Sequence, residues 1–293
     1  MRKMMMVLLL LVFALVLPQA GWGSTGRKGR GILLVAFGTS EPGARGALER
    51  IEDGIRKAFP DSVVRLSYTS GIIRRKILRE EGLAVDSPLL ALAKMQDEGF
   101  SSVTVQSLHV MPGEEYHQIE ELVRSLGSIG GKYGFPGLSL GKPLLDSLGD
   151  YGKMTDLLRE EYGSLGEGGG AVVFMGHGTD HWANASYSQM QFFFDEAGLP
   201  FVMGTVEGFP GIEQVKRRLA AIRPSGVTLV PFMVVAGDHA RNDMSDESAP
   251  DSWISMLRKE GYSVRVLLKG LGECAGLPGL FAGHIREAAG EGP

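Results

Sequence analysis

Apolar runs that end in glycine recur along this chain. Residues 31–37 read Gly-Ile-Leu-Leu-Val-Ala-Phe and stop at Gly38-Thr39-Ser40. Residues 171–175 read Ala-Val-Val-Phe-Met and stop at Gly176-His177-Gly178-Thr179. A short apolar run closed by glycine predicts a strand buried on both faces, as in a parallel sheet. Further strands are predicted over 62–68, 103–109, 138–140, 201–206, 227–234 and 264–268. Between them the apolar spacing becomes helical: Ala47, Ile51, Ile55 and Phe59 lie on one face of 41–59, which stops at Pro60. Helices are also predicted over 72–79, 88–98, 113–126, 145–162, 186–197, 212–222, 251–260 and 276–289. Glycine-rich stretches at 127–137 and 163–170 read as a loop and a domain boundary.

The second half repeats the first. Laying Val103 on Val227 also lays Gly113 on Gly237 and Glu115 on His239, while Phe37-Gly38-Thr39 matches His177-Gly178-Thr179. A duplicated strand–helix pattern predicts an α/β protein of two similar Rossmann-like domains. Each is a parallel sheet of roughly four strands flanked by helices, over 28–165 and 166–293. Ligands of such sheets sit at the carboxyl ends of the strands, so the expected site is the cleft between the domains.

The N-terminus is not part of this pattern. Arg2-Lys3 precedes an unbroken apolar run over 4–17, then a small-residue stretch ending at Gly23-Ser24. This reads as a secretory signal peptide over 1–23, too short for a membrane span, which places the mature chain in the periplasm with no further membrane attachment. The 293 residues carry a net charge of −4 and no basic block, which argues against nucleic acid as a partner. The single cysteine, Cys274, excludes an internal disulfide and a thiolate metal cluster; it reads as a buried apolar residue. The phosphate-binding glycine motifs and the serine-hydrolase elbow are absent.

Three polar residues follow second-half strands: His177, Glu207 and His239. Two imidazoles and a carboxylate suit a divalent first-row metal, and three protein ligands leave coordination positions open. The alternative is three unrelated polar residues at the rim of a sheet. Asp180, His181 and Asn184 either orient His177 or, for Asp180, cap the next helix. His109 and His117 either face the cleft or lie on the surface, and His284 reads as structural.

Taken together, five segments resemble the sirohydrochlorin cobaltochelatases of the anaerobic pathway, within the class II chelatases that include ferrochelatase. They are the stretches 33–40, 109–117, 175–181, 206–211 and 236–244. The resemblance runs from about Gly31 to the C-terminus. It implies a lyase-type chelatase that inserts Co2+, with Fe2+ the second candidate, into sirohydrochlorin during cobalamin synthesis. It also implies that His177, Glu207 and His239 bind the metal; from the chemistry of insertion, His177 is the expected acceptor of the pyrrole protons, with Glu207 assisting. No cofactor is required; the metal is a substrate. Arg45 and Arg241 are the candidates for the substrate's carboxylates. A homo-oligomer is compatible with the family. The signal peptide departs from cytoplasmic relatives. The rival it motivates is an exported tetrapyrrole, haem or metal carrier using the same cleft, with His109 and His117 as candidate haem ligands.

Overall fold

The computed structural model describes residues 28–291, so the segment read as a signal peptide lies outside the described residues. Strands β1 (Lys28–Ala36), β2 (Val63–Tyr68), β3 (Phe100–Ser107) and β4 (Leu138–Gly141) form one parallel sheet in the order β2-β1-β3-β4. Strands β5 (Ala171–Gly176), β6 (Phe201–Thr205), β7 (Val227–Pro231) and β8 (Val264–Val266) form a second, in the order β6-β5-β7-β8. The same topology occurs twice, as the repeat requires.

Equivalent hydrogen bonds fix the register of the repeat. Leu108 N donates to Val35 O in the first half, and Phe232 N donates to Met175 O in the second. Gly113 N donates to Met111 O, and Gly237 N to Val235 O. Ser70 N donates to Phe37 O, and Glu207 N to His177 O. His177 therefore stands where the first half has Phe37, Glu207 where it has Ser70, and His239 where it has Glu115.

The helices are α1 (Pro42–Ala58), α2 (Gly71–Glu81), α3 (Pro88–Asp97), α4 (Glu114–Gly127), α5 (Leu148–Tyr162), α6 (Ala185–Glu196), α7 (Ile212–Ile222), α8 (Trp253–Lys259) and α9 (Leu277–Ala288). α1 buries Ala44, Ala47, Leu48, Ile51 and Ile55, the stripe its spacing announces. α5 starts three residues later than the apolar pattern suggests. Leu144 and Leu145 stay outside the helix, donating to His109 O and Val110 O, and Ser147 with Asp150 then forms a reciprocal cap.

Alternation along the central strands divides the core. Ile32, Leu34 and Ala36 of β1 face one side, and Leu33 and Val35 face the other, against α3 and α4. In β5, Val172 and Phe174 face inward, while Val173 and Met175 face α7 and α8. The inward faces of both sheets meet α1, α5, α6 and α9 in one continuous apolar cluster. Within it α9, from the end of the chain, packs against α1 and β4 of the first half. The two sheets are thus tied by a shared layer, and the cleft lies where their strand ends open beside it.

Candidate metal and substrate cleft

A cavity of about 870 Å³ opens between the halves, at the upper end of the range for small-molecule sites. The turn that follows β5 brings His177 to its wall. Gly178 adopts φ +87°, and a Cβ there would lie 1.7 Å from Glu207 O, so only glycine lets this loop pass against the next. Asn184 joins the two loops: its side-chain oxygen accepts from Thr179 N at 3.0 Å, and its amide donates to Phe209 O. His181, not Asp180, caps the short turn at Trp182–Asn184, with Nδ1 accepting from Ala183 N at 3.1 Å.

His177 and His239 converge. Their Nε2 atoms are 3.0 Å apart and their ring planes cross at 87°. His177 Nδ1 lies 2.8 Å from Gly178 O, which can only accept, so Nδ1 carries the hydrogen. His239 Nδ1 lies 2.6 Å from Asp243 Oδ2 and donates to it. Each ring therefore directs the lone pair of Nε2 at the other. Two acceptors at that distance need a proton or a cation to bridge them. With metal–imidazole bonds of about 2.1 Å, the separation matches two ligands at roughly 90° on one metal ion.

Glu207 stands beside this pair. Its Oε2 is 3.9 Å from Nδ1 of His177, the nitrogen turned away from His239. Among the described residues no three His, Cys, Asp or Glu side chains converge as a ready metal cage. The Glu207 side chain is 62% exposed at the edge of the cleft.

The first-half wall carries residues that strand-end patterns did not single out. Glu115 lines the cavity, and its Oε2 is buried with no hydrogen-bond partner. The repeat alignment was the available signal, since Glu115 occupies the place of His239. Phe37, half-exposed, presents a ring to the same space. His109 also lines the cavity; its Nε2 is buried and unpartnered, and burial pushes its ring down to about 4. His117 is not among the lining residues; it is hydrogen-bonded to Glu120 and packs 5.4 Å from His181 of the second half, with exposed Trp182 beside both.

The two arginines are placed otherwise than the sequence suggested. Arg45 forms a bidentate ion pair with Glu81 and lines a separate, smaller cavity. Arg241 is exposed and extends toward Gly43 at the start of α1. Neither lines the cleft, whose charged lining residues are Glu114, Glu115, Asp180, Glu207 and Asp238. His284 is buried far along α9, bonded to Asp150.

Residues 30–290 match the model of a family described as cobalt chelatase (CbiK). A sirohydrochlorin cobaltochelatase of Salmonella typhimurium is 35% identical over 260 residues, covering 88% of this chain and 96% of the relative. A sirohydrochlorin cobaltochelatase, CbiKC, of Nitratidesulfovibrio vulgaris is 33% identical over 259 residues, covering 88% and 90%. Among solved structures, SirB from Bacillus subtilis with Fe3+ superposes with a TM-score of 0.62 at 16% identity, covering 89% of this chain and 96% of that one, a likeness of fold.

Proposed function

The chain belongs to the cobalt chelatase (CbiK) family, and on that premise we propose that it inserts divalent cobalt into sirohydrochlorin, a step of cobalamin biosynthesis. The observation that carries the site assignment is the approach of the His177 and His239 Nε2 lone pairs to 3.0 Å. The metal arrives as substrate on these two nitrogens, and the acidic lining of the cleft favours its capture. Glu207 rotates in as a third ligand and leaves open positions for the incoming ring.

Insertion exchanges one M2+ for two pyrrole protons, so the reaction balances without a redox cofactor. The protons need acceptors. His177 has one free lone pair, at Nε2, and cannot bind metal and accept a proton at once. The carboxylates take that part. Glu115, on the wall opposite the histidines, has a buried oxygen with no other partner and is the first acceptor; Glu207 assists from the metal side. The flat macrocycle lies between the two walls, against the ring of Phe37.

The test is metal insertion by the mature protein, with cobalt and iron offered in parallel and the product followed by its visible absorption. Cobalt turnover with sirohydrochlorin supports the reading. Turnover with neither metal contradicts it. The N-terminal segment supports export to the periplasm; N-terminal sequencing of the protein from a periplasmic extract checks this. A start near Ser24 supports export, and an intact N-terminus in the cytoplasm contradicts it.

A further inference from the structure

The cleft and its proposed substrate are mismatched in charge. Sirohydrochlorin is rimmed by acetate and propionate carboxylates, yet no lysine or arginine is among the described residues lining the cavity. The lining itself therefore offers those anionic groups neutral donors, with Lys76 held behind the wall by its bond to Ser40 Oγ. His109 supplies one, and its surroundings fix which of its nitrogens carries the hydrogen.

Ser107 is fully buried, and its Oγ accepts from His109 N at 3.3 Å. The hydroxyl hydrogen of Ser107 has His109 Nδ1, 2.9 Å away, as its acceptor. Oγ already accepts from His109 N, and Nδ1 is the acceptor within reach of its hydrogen, so the Ser107 O–H donates to Nδ1. The ring hydrogen then sits on Nε2, a buried atom without a partner on a residue that lines the cleft. A desolvated donor left unpaired is costly unless a ligand completes it. Burial holds the ring neutral, with its ionisation pushed down to about 4. At the equivalent places the second half has Pro231 and Met233, so the serine–histidine pair belongs to the first-half wall alone.

We propose that His109 is a substrate-binding residue whose Nε2–H donates a hydrogen bond to a peripheral carboxylate of the tetrapyrrole. Ser107 is its positioning residue, selecting the tautomer. This rests on the chelatase reading. It adds a recognition contact on the wall facing the metal ligands, and it commits that contact to a neutral donor rather than a cation.

The experiment measures steady-state cobalt insertion by the full mature chain with sirohydrochlorin and with its fully methyl-esterified form. His109→Met installs the side chain the second half carries at this place; His109→Gln keeps an N–H donor. His109→Met is expected to raise KM for sirohydrochlorin on the order of tenfold or more, the scale of a hydrogen bond to a charged group. The same variant should keep kcat and cobalt affinity within about threefold and match wild type on the ester. His109→Gln is expected to stay close to wild type. Ser107→Ala, which leaves the tautomer unselected, should raise KM by a smaller factor without changing kcat, and it decides the matter if His109→Met fails to fold. An unchanged KM in both His109→Met and Ser107→Ala overturns the proposal, as does an equal rise with acid and ester. A wild-type chain that inserts no metal overturns the chelatase reading instead.

Discussion

Asp243 stands four residues after His239, and its Oδ2 accepts from His239 Nδ1 at 2.6 Å. The bond holds the imidazole so that Nε2 faces His177, and it makes that nitrogen a better ligand. Asp243→Asn should lower cobalt affinity by about 10- to 100-fold with the fold intact, the usual cost of removing such a partner. Titration of cobalt into the variant checks this. In a His239→Ala background the same substitution should have little further effect, because the ring it orients is gone.

Gly178 and Gly237 flank the two histidines but differ in what they require. Gly178 has positive φ and no room for a Cβ against Glu207 O, while Gly237 has nothing within 4 Å of a Cβ. Gly178→Ala should cost more than about 3 kcal/mol, through strain and displacement of the His177 loop. Gly237→Ala should stay within about 0.5 kcal/mol of wild type. Denaturant midpoints of the two variants make the comparison.

His284 on α9 donates through Nε2 to Asp150 at 3.0 Å, deep between the end of the chain and the cap of α5. Burial opposes the Asp150 charge, but the bonds from His284 and Ser147 outweigh it and hold the carboxyl below its usual range. A carboxyl depressed in the folded state stabilises above its unfolded pKa and loses that contribution as pH falls through the folded one. Asp150→Leu should therefore cost about 1–3 kcal/mol at neutral pH, since it leaves the buried Nε2 of His284 without its hydrogen-bond partner. Urea unfolding should show the gap between wild type and variant closing at acid pH.

His109 titrates in the same sense. Its folded value of about 4 lies below the ordinary imidazole value, so the unfolded chain binds more protons between the two. Stability is complete above about pH 6.5 and declines toward pH 4, by at most about 3 kcal/mol from this one ring. His109→Gln, which has no such proton uptake, should lose less stability than wild type across that window. Equal slopes for the two proteins would contradict the burial of this ring.

Much of this architecture is written locally. The glycine-closed apolar runs mark β1 and β5, and Phe37 matching His177 marks the turn that both halves share. His177 and His239 could be picked out because each follows a strand that pairs directly with its neighbour, β5 with β7. Long-range geometry was not legible in the same way. The apolar stripe of α9 would fit either sheet, and only the shared core decides that it packs on α1. Arg45 looked free for an anion until folding set Glu81 against it. The side of His177 on which Glu207 falls depends on a rotamer, which no spacing encodes.

The central claim is that His177 and His239 present paired lone pairs to the metal that is inserted. Its most direct test is cobalt insertion into sirohydrochlorin by wild type, His177→Ala and His239→Ala, with cobalt affinity measured on the same preparations. Both variants are expected to melt as wild type does, to bind cobalt at least about 100-fold more weakly and to lose insertion by a similar factor, since each removes one of two converging ligands. Wild-type insertion rates in either folded variant would contradict the assignment.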